Sequence, residues 1–291
     1  MRWRRFLAVG AGVAAVWLFG VWPPPVWWRS HWPDQTAMMR RTARAGPTPP
    51  PHQGGSLYDP TPLAEISPTL PRMVILAEDS RFRAHWGIDP AAMAEAIGLA
   101  PNGDLGRTVV TVWRRRDRIR GASTITQQLA KNLYLSPTRN PLRKLKELAI
   151  AFRLEAALSK DRILELYLNV AELGPGIWGA AAASRTYYDR APRELTVEQA
   201  ASLAATLPHP RSSNPAYRSG RMLARRRLIL ARYYGADVKI PRMDELEASI
   251  DSIVLPTIDL PIIPPVLDSL VDSVLVQPAA PDTGPRDTIR P

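Results

Sequence analysis

Cysteine is absent from the 291-residue sequence, which excludes disulfide bridges and thiolate metal sites. The absence does not assign a compartment, because both reducing and oxidising compartments contain proteins without cysteine. Hydrophobic residues make up 45% of the chain, which is enough for one sizeable domain with a real core. The thirty prolines are unevenly distributed, so part of the length is not expected to be globular.

Charged residues are missing between Phe6 and Trp28, and three arginines precede this run. The run is long enough to cross a bilayer, and the arginines favour a cytoplasmic N-terminus with the remainder exported. Six of the nine tryptophans lie in the first 32 residues, as in an interfacial aromatic belt. A cleaved signal peptide is the alternative, but no convincing small-x-small site follows the run. Residues 1–30 are therefore predicted to be a cytoplasmic N-terminus and a single-pass transmembrane anchor.

The net charge of +11 is unevenly distributed along the chain. Residues 241–291 contain three arginines and nine acidic residues, so they carry −6 and the residues before them carry +17. Such a basic body favours an anionic partner, which could be nucleic acid, a phospholipid surface or a phosphorylated substrate.

Composition also divides the chain. A stretch rich in proline and glycine indicates a linker over residues 31–62. Helical patterns dominate residues 63–235, the predicted domain. Residues 236–291 are acidic and rich in proline, and they show no helical or strand period, so we predict a disordered tail. Residues 108–120 alternate apolar and basic character, which fits either a solvated loop or a segment lying on anionic lipid headgroups.

The helical prediction rests on start signals and spacing. Asp89 followed by Pro90 is a favourable helix start, and Thr196 with Gln199 predicts a capping box. An alanine-rich helix near residues 180–188 must pack closely against its neighbours. The expected fold is a mainly α, single domain.

Two adjacent carboxylates, Glu78 and Asp79, follow the apolar residues 73–77. A carboxylate in a desolvated cleft becomes a proton-transfer group, so Glu78 is a candidate general base. The alternative is that the pair caps a helix or forms surface ion pairs with Arg81 and Arg83.

Hydroxyl and amide side chains are concentrated in residues 121–132, which read G-A-S-T-I-T-Q-Q-L-A-K-N. A loop of this kind running into a helix offers hydrogen bonds to a polyhydroxylated or phosphorylated ligand. The candidate ligand-binding residues here are Ser123, Thr124, Gln127, Gln128, Lys131 and Asn132.

A helix predicted from about Pro141 to Leu158 carries R-K-L-K-E at residues 143–147. Lys144 and Glu147 are three residues apart and share a face. A cation and a carboxylate projecting together suit a phosphate ligand, bound directly by Lys144 and through a divalent metal on Glu147. An ordinary surface ion pair is the alternative.

Five segments, in order, resemble the motifs of the peptidoglycan glycosyltransferases of glycosyltransferase family 51, which are also the N-terminal domains of class A penicillin-binding proteins. The resemblance covers about residues 63–234, and five ordered motifs are far more specific than any one of them. The segments are E-D-S-R-F-R-A-H-W-G-I-D (78–89), G-A-S-T-I-T-Q-Q-L-A-K-N (121–132), R-K-L-K-E (143–147), K-D-R-I-L-E-L-Y-L-N-V-A-E-L-G-P-G-I-W-G (160–179) and L-T-V-E-Q-A-A-S-L-A-A-T-L-P-H-P (195–210).

The resemblance implies a lysozyme-like helical domain on the outer, periplasmic face of the cytoplasmic membrane. Its implied substrate is lipid II, which it polymerises into glycan strands while releasing undecaprenyl diphosphate. The implied partners are lipid II, the nascent glycan strand, the membrane, and other proteins of cell-wall synthesis or division, with no nucleic acid.

The resemblance also implies roles for individual residues. Glu78 is similar to the base that deprotonates the acceptor's GlcNAc 4-hydroxyl as it attacks C1 of the donor's MurNAc with inversion. Glu147 is similar to the second catalytic glutamate, which with Arg143 and Lys144 handles the donor diphosphate, together with Mg²⁺ or Mn²⁺. The donor-site motif supplies Gln127, Lys131 and Asn132, and Asp79 and Arg81 are similar to supporting residues of the first motif.

Departures from the family pattern are few: Ala122 replaces a glycine, and Tyr188 stands where phenylalanine is frequent. No credible S-x-x-K nucleophile with its partners follows the domain, so a monofunctional enzyme is expected. A lytic enzyme that cleaves glycan and an inactive membrane-anchored scaffold are the competing interpretations.

Overall fold

The computed structural model describes residues 2–44, 58–97, 123–135, 141–217 and 219–240. This part of the chain is mainly helical, as the sequence predicts. A two-stranded antiparallel hairpin joins β1 to β2, with Glu172 opposite Trp178. The bounds are α1 Arg2–Phe19, α2 Ala37–Arg44, α3 Thr69–Glu78, α4 Pro90–Ile97, α5 Ile125–Tyr134, α6 Pro141–Ala157, α7 Lys160–Val170, β1 Glu172–Gly174, β2 Ile177–Trp178, α8 Gly179–Tyr188, α9 Val197–Thr206 and α10 Ser219–Tyr233.

Several helices begin where a side chain satisfies an otherwise unpaired backbone N–H group. Thr124 caps α5 and Ser159 caps α7, each accepting a hydrogen bond from the third residue of its helix. The predicted capping box of Thr196 and Gln199 is confirmed at α9. Asp89 accepts a hydrogen bond from the amide of Ala92 and so starts α4.

The core lies between α3, α5, α6, α7 and α9. Helix α5 packs on α6 and α7, and α3 packs on α9. Its fully buried side chains include Phe82, Leu129, Ile150 and Leu203. The alanine-rich α8 is buried along residues 180–183, as predicted.

Gly179, at the start of α8, has a φ of +82°, and a Cβ there would lie 2.4 Å from the Asn169 carbonyl oxygen. A glycine is therefore required for the chain to turn from the hairpin into α8.

The N-terminal segment differs from the expected anchor in the length of its helix. α1 ends at Phe19, and the chain continues into a 3₁₀ turn, Pro25–Arg29. Across the part of the chain that the structure describes, no helix has both the length and the apolar character needed to cross a membrane.

The predicted linker contains a helix. Within residues 31–62 the chain forms α2, whose Met39 and Thr42 are buried, so this stretch packs on the domain. At the other end, residues 236–240 follow α10 and Ile240 is buried. The basic segment 108–120 and residues 241–291 of the predicted tail lie outside the described residues.

Candidate active site

Glu78 is the last residue of α3, and its carboxylate is bound from two other helices. Its Oε2 accepts a hydrogen bond from Gln128 Nε2 of α5 at 3.0 Å. Its Oε1 accepts one from Arg225 Nη2 of α10, also at 3.0 Å. The side chain of Glu78 is 12% exposed and that of Arg225 is 6% exposed, so this ion pair is largely shielded from water.

Gln128 is itself oriented by Tyr167 of α7, whose hydroxyl donates to Gln128 Oε1 at 2.8 Å. The amide therefore presents its NH₂ group to Glu78. Burial and the charge of Glu78 raise the pKa of Tyr167 well above its ordinary value, so the phenol stays protonated and keeps its donor.

Glu147 is the centre of a second cluster, on α6. Its Oε2 accepts a hydrogen bond from Arg143 Nη1 at 2.8 Å, and its Oε1 accepts one from Lys144 Nζ at 2.5 Å. Lys144 Nζ also donates to Gln127 Oε1 at 2.9 Å and to Ser123 Oγ at 3.0 Å. The predicted shared face of Lys144 and Glu147 is thus confirmed.

The neighbouring residues Gln127 and Gln128 connect the two clusters. Adjacent residues of an α-helix point about 100° apart, so one amide reaches the cluster around Glu147 while the next reaches Glu78. Lys131, one turn further along α5 than Gln127, interacts electrostatically with the charged groups of both clusters. Burial lowers the pKa of Lys131, the charges of Arg143 and Lys144 act in the same direction, and those of Glu147 and Glu78 oppose them.

Comparison with known proteins assigns this arrangement to a family. The sequence model of the transglycosylase family matches residues 55–234, which include both clusters. The chain belongs to the transglycosylase family.

Three relatives, each matched over at least 82% of its own length, carry the same name. A protein of Thiobacillus denitrificans is 42% identical over 236 residues, which cover 80% of this chain and 95% of the relative. One of Bordetella avium is 43% identical over 208 residues, 71% of this chain and 82% of the relative. One of Methylobacillus flagellatus is 36% identical over 236 residues, 81% of this chain and 97% of the relative. Each is called a biosynthetic peptidoglycan transglycosylase.

Asp79 holds the start of α5 in this transglycosylase. Its Oδ2 accepts a hydrogen bond from the amide of Ile125 at 3.0 Å, and His85 Nε2 lies 2.9 and 3.0 Å from the two carboxylate oxygens. Arg81 forms a bidentate pair with Asp89, at 2.7 and 3.1 Å. Asp79 and Arg81 therefore bind partners within the protein, and their contact with substrate stays a prediction.

Two sites in the described part of the chain have side chains that could hold a divalent metal. Among the described residues, Asp79, His85 and Asp89 have potential ligand atoms within 4.8 Å of one another. Their carboxylates already accept hydrogen bonds from Arg81 and from two backbone amides, which an ion would have to displace. The oxygens of Glu147 are likewise bound, by Arg143 and Lys144. Glu147 still fits better, because these cations would also attract a diphosphate, and Mg²⁺ is usually held by one or two carboxylates together with substrate phosphates.

Thr124, which caps α5, and Asn132, which lies on α5, are both buried. The Thr124 hydroxyl donates to Gly87 O at 2.7 Å while it caps the helix, so its interactions are structural here. Asn132 lies on the same helix as Gln127 and Lys131, and its contact with substrate stays a prediction.

Three side chains that bind the candidate site or the loop beside it were missed by reasoning from the sequence: Tyr167, Arg225 and Glu155. A signal was available for Arg225, because Met222 and Ile229, three residues before and four after it, are apolar and mark a buried helix face. An arginine on such a face needs an acidic partner.

Glu155 binds the loop within the first motif. Its Oε1 accepts hydrogen bonds from the Gly87 amide at 3.0 Å, Thr126 Oγ1 at 2.6 Å and Lys160 Nζ at 2.7 Å. Gly87 has a φ of +79°, a conformation that favours glycine. The Gly87 carbonyl also accepts a hydrogen bond from Gln127 Nε2 at 3.3 Å, so this peptide helps to place α5.

Proposed function

We propose that the protein is a biosynthetic peptidoglycan transglycosylase that polymerises lipid II, with Glu78 as its general base. The observation that carries the proposal is the separation of two glutamates by α5. Glu78 is held by an amide and one arginine, whereas Glu147 is surrounded by cations. The two environments suit a proton acceptor and an anion-binding centre.

Glu78 has room to act as a base. An ionised carboxylate offers about four acceptor positions, and Gln128 and Arg225 take two of them. In the proposed step the acceptor's GlcNAc 4-hydroxyl transfers its proton to Glu78 as the oxygen attacks C1 of the donor's MurNAc. The bond from C1 to the diphosphate oxygen breaks, the configuration at C1 inverts, and undecaprenyl diphosphate leaves with the electron pair.

The leaving group explains the second cluster. A departing diphosphate needs cationic stabilisation more than it needs protonation, and Arg143 and Lys144 provide positive groups beside Glu147. A glycosidase would instead need a carboxylic acid to protonate a poor leaving group.

A divalent metal, Mg²⁺ or Mn²⁺, is part of the proposal. Glu147 and the donor diphosphate would hold it, and it would supply further neutralisation of the leaving charge. In this proposal Arg143 and Lys144, which bind Glu147 in the structure, would turn toward the diphosphate when substrate is present.

The proposal also covers the cellular location of the protein and the type of its fold. We propose a lysozyme-like domain attached to the cytoplasmic membrane, with the N-terminus cytoplasmic and the catalytic domain on the outer face. The charge-free residues 6–22 support this location, as do the exposed side chains of Phe6 and Trp22, which are 77% and 86% exposed. Exposed apolar surface of this kind marks membrane or protein contacts. Recovery of the full chain in a membrane-free fraction would contradict it.

The first test is polymerisation of labelled lipid II by the detergent-solubilised protein with a divalent metal. Glu78→Gln removes basicity but little volume, so it should abolish polymer while lipid II binding is retained. Glu194→Gln makes the same chemical change at an exposed position and should polymerise like the wild type.

Each outcome separates the alternatives. Long glycan from the wild type and Glu194→Gln, but not from Glu78→Gln, supports the transferase and its base together. Polymer from Glu78→Gln would place the base elsewhere. Loss of preformed glycan would indicate a lytic enzyme, and lipid II binding without turnover in the wild type would indicate a scaffold.

A further inference from the structure

The family match begins at residue 55, yet residues 23–44 also pack on the catalytic domain. The 3₁₀ turn Pro25–Arg29 contacts α6, and α2 packs on α5. We call residues 23–44 the N-terminal brace. It separates α1 from the first residue of the family match, and its contacts reach the helix that carries Gln127 and Lys131.

Trp28 is the buried centre of the brace, with 6% of the residue exposed. Its Nε1 donates a hydrogen bond to the Tyr134 hydroxyl at 2.5 Å, and that hydroxyl donates to the Pro23 carbonyl at 2.8 Å. Burial raises the pKa of Tyr134 to about 12, so the phenol remains a donor at neutral pH.

Tyr134 is the last residue of α5 and continues the stripe of Gln127 and Lys131. Residues spaced by three, four and seven positions lie on one face of a helix. A displacement of Tyr134 should therefore also move the helix face that carries Gln127 and Lys131.

Arg162 of α7 binds the backbone of the brace. It donates to the Trp28 carbonyl at 2.7 Å and to the His31 carbonyl at 2.8 Å, and its guanidinium lies 4.3 Å from the centroid of the Trp32 ring. Arg29 in turn donates to the Ala157 carbonyl at the end of α6, at 2.6 Å. The carbonyl groups of Trp28 and His31 in the brace are thus paired with the domain.

The second half of the brace is fixed through α2. Met39 and Thr42 are buried, and Arg211 Nη2 donates to Thr42 Oγ1 at 2.8 Å. Arg211 also pairs with Glu172 at 2.8 Å, so α2 is connected to the β-hairpin as well as to α5.

We infer that the N-terminal brace is a positioning element of the active site, in which Trp28 and Tyr134 hold α5 in register with Glu78 and Glu147. α1 itself is held by α6, because Arg153 donates to the Phe19 carbonyl. The expected change in KM rests on the proposed function. The expected change in the packing of α5 rests on the contacts alone.

The test compares Trp28→Ala and Tyr134→Phe with Trp27→Ala in the full-length, detergent-solubilised protein. Trp27 is the matched control, because it is the adjacent residue of the same turn but is 46% exposed and stacks on His31. Tyr134→Phe keeps the ring and removes only the hydroxyl, which preserves a readout if Trp28→Ala does not fold. Hydrogen exchange is followed in α5, with α9 as an internal reference, and KM and kcat are measured with lipid II.

We expect α5 amides to exchange roughly tenfold faster in Trp28→Ala while α9 is unchanged, as in local opening of one element. KM for lipid II should rise about fivefold, with a smaller change in kcat, because Gln127 and Lys131 lie on the displaced face of α5, whereas Glu78 is carried by α3 and is also held by Arg225. Tyr134→Phe should give smaller changes in the same direction, and Trp27→Ala should match the wild type.

Unchanged exchange in α5, or equal acceleration in α5 and α9, would overturn the inference. Faster exchange in α5 with unaltered KM would overturn the positioning role. If the wild type makes no glycan, the proposed function fails, and the exchange comparison still decides whether the brace holds α5.

Discussion

Arg225 Nη2 lies 3.0 Å from Glu78 Oε1, although the two residues are 147 positions apart in the sequence. The same nitrogen donates to the Ala77 carbonyl at 3.0 Å, so one guanidinium binds both the end of α3 and its last side chain. This contact fixes the orientation of the proposed base from a helix that lies beyond the fifth sequence motif.

The pair should show strong coupling in a double-mutant cycle. Arg225→Met removes one partner of a buried ion pair and should lower the free energy of unfolding by about 3 kcal/mol. In the Glu78→Gln background the same change should cost less, because no buried charge is left behind, giving a coupling energy of about 1–3 kcal/mol. Urea unfolding of the four proteins measures this. Additive effects would show that the two side chains do not interact in solution.

Lys144 should matter for turnover rather than for folding. Lys144→Met removes a cation that binds Glu147 and Gln127, and we expect a loss of about 10²-fold in kcat, as for the loss of one donor to a developing anion. Lys146→Met, two residues along the same helix, is the control and should retain most activity. Initial rates at saturating lipid II decide the point. Similar losses in both variants would remove the special role of Lys144.

Glu155 should stabilise the loop through its acceptor oxygen. Glu155→Leu leaves Lys160 and the Gly87 amide without their acceptor, so it should lower the free energy of unfolding by about 3 kcal/mol. Glu155→Gln keeps a carbonyl oxygen and should cost about half as much. Thermal and urea unfolding test this. If the glutamine variant is as unstable as the leucine variant, the hydrogen bonds to this oxygen are not what holds the loop.

The ionisation of Asp89 should make the free energy of unfolding of the protein depend on pH. Burial alone would raise its pKa, but hydrogen bonds from Arg81 and the Ala92 amide, with the charge of Arg81, hold the pKa below its ordinary value of 3.8. The ionised carboxylate therefore stabilises the fold above that value, and the contribution is lost as the pH falls through the lower pKa of the folded state. Asp89→Asn should be about 1–2 kcal/mol less stable than the wild type at pH 7, and the difference should shrink below about pH 4.

The control for this series is Asp161→Asn. Asp161 pairs with Arg83 at 2.6 Å, but the two side chains are 64% and 58% exposed, so this pair should contribute almost nothing. Urea unfolding from pH 7 to pH 3 compares the variants. A difference between Asp89→Asn and the wild type that stays constant with pH would contradict the assigned cause.

Much of the helical framework follows from local signals that the sequence displays. Capping side chains at Asp89 and Thr196 start helices because they accept backbone N–H groups a few residues away. The grouping of Lys144 with Glu147 follows in the same way from helical spacing. These predictions succeed because the interacting groups are close in sequence, so no long-range packing is needed to define them.

The sequence alone determined the mainly helical framework, the order of the motifs and the chemical groups available for catalysis. Only the tertiary structure decided that Arg225 binds Glu78, that Glu155 binds the Gly87 peptide, and that residues predicted as a linker brace α5. Each of these contacts joins segments far apart in the chain, and many different packings of the same helices would preserve their local signals. Which packing forms depends on how the buried side chains fit together, and that fit is set by the whole core.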